Sequence, residues 1–504
     1  MMNFELNGYI IATAELSKLK DEVAKLIEKA NSEFSKGVQP GQEGKVKNWS
    51  IEGTKIKLNI VSGGQPRPHD FLIRLRKLLA ESLGKKFRVG FREVFANNYK
   101  VEFELEFEPK RPMKLPLVES HQINGKKCTL VFVGLDEEAM QKNYVDRLMK
   151  LVNEKARDQQ YAGKEEFKQV MWEGKQRKVT YRGDPATDLE AKGWIRRSHS
   201  KAQWVYGPEW TVLFNVFKEL FQKHVYDKMA FHEMLFPKFE PWEVPAKSGH
   251  AANIYPNAYF VSVPKESSPE AWEEVMDHFK VTGKVDTEGV MKKSINVGIM
   301  SYAQCPPFWP FLQGKTIDEE SLPFKTFDWS GPTYRNESGG THGLDRIEEF
   351  HRIETLWVGT KVQTIKIWND VKDNMKKFFD DVLDMEIRVA KVAPWWMAHA
   401  GLASMESTAD VATFDFEAYL PYRGERSEEW LEIQNASSNG TKYPQAFAVK
   451  GRKEELWSGC GGGSFERFMV AFLAQKGLDP KSWPSAVKLP FLKEVKKIKP
   501  LKFL

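Results

Sequence analysis

Two stretches hold residues whose types and spacing could do chemistry. The first is 334–354, Tyr-Arg-Asn-Glu-Ser-Gly-Gly-Thr-His-Gly-Leu-Asp-Arg-Ile-Glu-Glu-Phe-His-Arg-Ile-Glu. Read as two strands, it places residues two apart on one face. Arg335 and Glu337 then share a face going in, and Phe350, Arg352 and Glu354 share one coming back. A loop with Gly339, Gly340 and Gly343 joins them and carries a charged tip, Asp345-Arg346. That set suits a nucleoside triphosphate and a small zwitterion. Arg pairs phosphate in a bidentate fork, a carboxylate accepts from an amine, and a ring stacks on a base. A surface hairpin laced with salt bridges would use the same residues. The second stretch is Ser458-Gly-Cys460-Gly-Gly-Gly-Ser-Phe-Glu-Arg467, which opens an apolar helix. Its glycines let backbone and ligand approach closely, the helix N-terminus favours anions, and Arg467 adds a full charge. No Gly-Lys-Ser/Thr follows, so it is not a P-loop.

The elements that must position these residues are spread over 504 residues, which favours two or three domains. The composition is globular, 41% hydrophobic and 29% charged, and a net charge of +6 permits a nucleic-acid partner without requiring one. No run of about 18 apolar residues predicts a membrane span. Met1 to Tyr9 lacks a basic region followed by an apolar core, and three scattered cysteines (Cys128, Cys305, Cys460) form no disulfide framework. A cytoplasmic location is the expectation. Residues 1–165 alternate short strands with helices and read as an α+β domain with a largely antiparallel sheet. The clearest strand covers 99–107, and a long helix is expected over 135–158. Arg74, Arg76, Lys77, Lys85, Lys86, Lys126 and Lys127 could meet phosphates or simply face water. Residues 166–207 are polar and read as a linker and hairpin region. From 208 to 504 a third segment begins with a strong apolar helix to about 229, then Met229-Ala-Phe-His-Glu-Met-Leu-Phe-Pro237. Further helices are expected over 268–281 and 369–386, and strands over 295–303, 413–420 and 430–439.

In order, these pieces resemble the three motifs of class II aminoacyl-tRNA synthetases. The helix, short strand and Pro237 resemble motif 1, which in that family builds a homodimer interface. Arg335-x-Glu337 through Phe350-x-Arg352-x-Glu354 resembles motif 2, and the Gly run with Glu466-Arg467 resembles motif 3. Tyr-Arg-x-Glu-Ser-Gly-Gly-x-x-Gly-Leu-Asp-Arg, Asp415-x-Glu417-x-Tyr-Leu-Pro and Glu432-Ile-x-Asn-x-Ser-Ser-Asn439 resemble seryl-tRNA synthetases. Three departures point to the rarer form of methanogenic archaea. Glu348-Glu349-Phe350 stands where the common enzyme has His-Gln-Phe, residues 1–165 lack a sustained heptad, and Cys460 has no counterpart in the common motif 3.

The resemblance implies a class II catalytic domain over 208–504, an α+β tRNA-binding domain over 1–165, and serylation of tRNA(Ser), leaving tRNA(Sec) open as a second acceptor. Arg335 would hold the α-phosphate of ATP, then the adenylate carbonyl and serine. Glu337 would accept from the adenine amine, Phe350 would stack on adenine, and Arg346 and Arg467 would bracket the γ-phosphate. Glu432 would hold magnesium, and Asn435 and Trp396 would contact the serine side chain. Cys305, Glu354 and Cys460 would bind zinc, with a fourth position open to the serine amine. By spacing alone these three are no metal motif, and buried free cysteine is the commoner arrangement. Three other readings stay open: a class II relative for another amino acid such as threonine, a ligase that loads a carrier protein, and a non-catalytic RNA-binding paralogue.

Overall fold

The structure is a computed structural model that describes residues 2–161, 167–200, 202–252, 254, 257–293, 297–337, 340–393, 409–427 and 430–499. It divides into two compact units, Met1–Lys164 and Glu165–Leu504.

The first unit is built on six strands: β1 (Asn3–Ala12), β2 (Gly44–Glu52), β3 (Lys55–Ser62), β4 (Phe91–Glu104), β5 (Ser120–Asn124) and β6 (Lys127–Leu135). They form one antiparallel sheet in the order β2-β3-β1-β4-β6-β5. In β1 every second residue is buried (Phe4, Leu6, Ile10, Ala12), so one face is apolar and the other polar. Helices α1 (Lys20–Glu33) and α2 (Pro68–Phe87) bury Val23, Ile27, Phe71, Leu72, Leu75 and Leu79 in the same core. The helix expected over 135–158 is two. Asp136 caps α3 (Glu137–Gln141), the chain turns at Asn143 with φ +55°, and α4 (Tyr144–Tyr161) follows. Asn tolerates that left-handed conformation, so a helical apolar spacing ran across a real break.

The second unit is built on a nine-stranded sheet. Its strands are β7 (Lys168–Glu173), β8 (His232–Glu233), β9 (Phe324–Asp328), β10 (Pro332–Tyr334), β11 (Glu349–Gly359), β12 (Ile387–Val392), β13 (Thr413–Ala418), β14 (Leu431–Gly440) and β15 (Trp457–Ser464). The order is β8-β9-β11-β15-β14-β13-β12-β7, with β10 also paired to β11. All pairs are antiparallel except β8 with β9. Segment 166–207 contains an edge strand, a helix and a hairpin. β7 pairs with β12 as an edge strand, helix α5 (Pro185–Ala191) follows, and Ile195–Arg197 pairs with Trp204–Tyr206 as a hairpin. An edge strand needs only one partner, and all of β7 except Trp172 is exposed, so it lacks a strong apolar alternation.

Helices α6 (Pro208–Phe221), α7 (Lys361–Lys377) and α8 (Phe465–Lys476) share a core with the sheet. The apolar segment expected to run to about 229 includes a π-helical turn, Gln222–Tyr226, before its last turn, Asp227–Met229. Ser268 caps the helix Pro269–Thr282, none of whose residues is buried. The helix expected over 369–386 starts earlier, because Thr360 and Gln363 form a capping box ahead of α7. Among the described residues no helix is long and apolar enough to cross a membrane.

Candidate active site

Strand β11 organises the site. Phe350, Arg352 and Glu354 alternate along it, and Glu354 lies opposite Gly462 on β15 while Leu356 lies opposite Cys460. Diagonal neighbours on adjacent strands share a face, so Cys460 and Glu354 meet. Cys305 joins them from the residue before a 3-10 turn, Pro306–Phe311. One ligand atom from each of Cys305, Glu354 and Cys460 lies within 4.8 Å of the others. Glu354 is fully buried. Its Oε2 accepts from Arg352 Nε at 2.7 Å, while Oε1 has no hydrogen-bond partner. A buried, unsatisfied carboxylate oxygen is costly unless something else binds it. A divalent ion of zinc's preferences fits, since two sulfurs and one oxygen are its usual donors. The bond to Cys460 and burial hold the Cys305 thiol well above its ordinary pKa. Burial lowers the pKa of Lys442 to about 8.

The cations gather at the other end of that face. Arg335 donates from Nε to Tyr302 O at 3.2 Å, and its guanidinium lies 4.5 Å over the Tyr302 ring and 5.6 Å over the Phe350 ring. Burial first, then the charges of Arg352 and Arg467, hold its pKa below the usual arginine value. Clustered, half-buried cations call for an anion. Arg467 donates from Nε to Asp345 O at 3.0 Å and from Nη1 to Glu432 O at 2.9 Å. Two main-chain carbonyls orient that guanidinium without cancelling its charge. The start of α8 is fixed as well: Glu466, fully buried, accepts from the Ser464 hydroxyl and from His351 N on β11.

The remaining expected residues fall in three groups. Arg346 Nε pairs with Glu337 Oε2 at 3.2 Å, so these two meet each other. Asn435 Nδ2 donates to Glu432 Oε1 at 3.1 Å, and its Oδ1 accepts from Gly462 N at 2.9 Å. Trp396 lies outside the described residues. The loop tip differs from expectation. Asp345 is buried rather than displayed, and accepts from Tyr422 at 2.7 Å and Arg423 at 2.6 Å. Its turn is closed by His342 and Arg346, which exchange main-chain bonds of 2.9 and 3.0 Å.

The glycines of motif 3 also differ. Gly459, Gly461, Gly462 and Gly463 belong to strand β15, not to a loop. A Cβ on Gly462 would overlap the Arg352 guanidinium, and one on Gly463 would overlap the Gln434 amide. They make room for side chains crossing the sheet. Sequence reasoning missed Gln434, Tyr302 and Asn439. The last stood in a motif already quoted, but its bond to Cys460 depends on the fold.

Known proteins resemble this chain over nearly its whole length. Residues 2–154 match a tRNA-binding domain model, and residues 299–476 match the class II tRNA synthetase core domain (G, H, P, S and T). The type-2 serine–tRNA ligase of Methanococcoides burtonii is 42% identical over 487 residues, 96% of each chain. That of Methanothrix thermoacetophila is 38% identical over 97% of this chain and 98% of its own. A crystal structure of M. kandleri SerRS in complex with A. aeolicus tRNASec aligns with a TM-score of 0.80 at 27% identity, covering 98% of this chain and 97% of that one. Likeness over nearly the full length and both domain matches place the chain among the type-2 serine–tRNA ligases, class II aminoacyl-tRNA synthetases that join serine to tRNA.

Proposed function

We propose that the face of β11 forms seryl-adenylate from serine and ATP, and that each residue on it has a distinct task. The observation that carries this is the convergence of Arg335, Arg352 and Arg467 beside the Cys305–Glu354–Cys460 cluster. Arg335 holds the α-phosphate while the serine carboxylate attacks in line and pyrophosphate leaves. Phe350 stacks on adenine, Glu337 accepts from its amine, and Arg346 and Arg467 bracket the γ-phosphate. For Arg346 and Glu337 this requires exchanging their mutual bond for bonds to the nucleotide. Glu432 would hold magnesium, and Asn435 contacts the serine side chain. Positioning of this kind can lower a barrier by about 7–11 kcal/mol, and preorganised cations stabilise the charge that develops.

Cys305, Glu354 and Cys460 would hold zinc. When bound, the ion supplies a Lewis-acid position for the serine amine. Arg352 keeps Glu354 in place for it, and the unsatisfied Oε1 is the oxygen offered. The first unit binds tRNA(Ser). The M. kandleri relative's complex with tRNASec supports tRNA(Sec) as a second acceptor. Helix α6 and strand β8 form the homodimer contact, as motif 1 does in the family.

The test is amino-acid-dependent exchange of labelled pyrophosphate into ATP, with serine and threonine separately, before and after metal is stripped. Serine exchange that vanishes on stripping and returns with zinc supports the assignment. Exchange that ignores stripping removes the zinc. Equal exchange with threonine would overturn serine selectivity, since one methyl group is worth only about 1–3 kcal/mol in a pocket.

A further inference from the structure

Cys460 has a second polar neighbour. Strands β14 and β15 stay in register from Gln434 opposite Gly463 to Ser438 opposite Gly459, and resume at Gly440 opposite Ser458. Asn439 is the extra residue, so the strand carries a β-bulge there. Bulges beside active sites re-aim a side chain. Gly440 follows with φ +59°. The Asn439 side chain is buried and its Nδ2 donates to Cys460 Sγ at 3.3 Å. On the other sulfur, the Tyr443 hydroxyl lies beside Cys305. The Tyr443 ring is held against Trp309 at 5.6 Å. Cys460 thus has a neutral hydrogen-bond donor, and Cys305 has a neutral hydroxyl beside it.

We propose that Asn439 is a positioning residue for the metal centre, its amide holding the Cys460 sulfur in ligating orientation, with Tyr443 doing the same for Cys305. This rests on the zinc assignment above. A neutral donor suits the task. It stabilises a buried thiolate through a hydrogen bond without adding a full positive charge that would repel the incoming dication. It also lowers the energy of the sulfur lone pair, which has a spectroscopic consequence.

Three variants test it. Asn439→Leu keeps the volume and removes the donor, Asn439→Asp turns a carboxylate toward the sulfur, and Tyr443→Phe removes only a hydroxyl. Zinc affinity is read by competition with a chromophoric chelator. The cobalt(II)-substituted protein is read by its thiolate-to-cobalt charge-transfer band. Asn439→Leu and Tyr443→Phe are expected to bind zinc about 10- to 100-fold more weakly, as outer-shell losses do. Without the hydrogen bond the sulfur donor level rises, so the band moves to longer wavelength, a shift that mere loosening of the fold would not give. Asn439→Asp should bind more weakly than the wild type and should not restore the band. If Asn439→Leu does not fold, the same two readouts on Tyr443→Phe decide. Wild-type affinity and an unmoved band in the folded variants would overturn the proposal alone. A wild-type protein that binds no zinc would overturn the metal assignment with it.

Discussion

Gly462→Ala is the sharpest probe of the site. The added methyl would fall on the Arg352 guanidinium. Gly462 lies on β15, between β11 and β14, so the backbone has little freedom to retreat. Arg352 must leave instead. That strips Glu354 of its 2.7 Å bond while its other oxygen is already unsatisfied. Breaking a buried ion pair from one side costs about 3–5 kcal/mol. Arg352→Ala removes the same pair by another route and belongs in the same range. If the overlap is the mechanism, the double variant costs about as much as either single one, and the two losses do not add. Urea unfolding of the metal-free protein, followed by Trp fluorescence and circular dichroism, measures all four corners of that cycle. Additive losses would refute the reasoning, because they would mean that Gly462 and Arg352 act independently. A Gly462→Ala protein of wild-type stability that merely binds ATP poorly would favour a glycine run serving ligand approach.

Three further outcomes are expected. Arg335→Ala should abolish serine-dependent pyrophosphate exchange while the far-ultraviolet spectrum stays native; exchange at the wild-type rate would remove it from the reaction. Asp345→Ala should raise the KM for ATP more than it lowers kcat, because the turn carrying Arg346 loses its ties to Tyr422 and Arg423 and Arg467 loses a fixed carbonyl; steady-state kinetics would show the split. Glu240, buried beside Ser301 and Tyr302, has its pKa raised from 4.5 to about 8 by burial. The folded state then holds a proton that the unfolded state has released, so stability should fall as pH rises across that window, by about 1.4 kcal/mol per pH unit at most. Glu240→Gln should flatten the slope in urea titrations, and an unchanged slope would mean that Glu240 is ionised in the native protein.

Much of the site was legible in the sequence because strand alternation is local. Phe350, Arg352 and Glu354 fall on one face of β11 whatever surrounds them. Pairing across strands is not local. The meeting of Cys305, Glu354 and Cys460 spans 155 residues from Cys305 to Cys460 and was reached only through resemblance. Asn439 faces Cys460 because of a bulge, and no local pattern announces one. The glycines of β15 suggest room for a ligand by sequence, but the occupants are Arg352 and Gln434 from other strands. Glu337 and Arg346 have separate tasks by resemblance, yet a folded turn brings them together. In the first unit, β4 begins at Phe91, well before the strictly alternating run, because pairing with β1 carries it through bulged positions.

Strand β7 has a consequence for how this chain is made and handled. It pairs along β12, whose Ile-Arg-Val-Ala-Lys-Val would otherwise end the sheet as an open, largely apolar ribbon. Such a ribbon recruits the same ribbon from another molecule. β7 ends the sheet instead with Lys168, Gln169 and Glu173 flanking the exposed Val170 and Met171, and Lys168 pairs inward with Glu417 at 2.5 Å. A fragment of the second unit that starts after Glu173 should therefore aggregate, whereas one that retains Lys168 should remain dispersed. On the ribosome β7 emerges long before β12, at 168 against 387. The guard is synthesised before the edge it protects, so the ribbon need never meet a crowded solution uncovered.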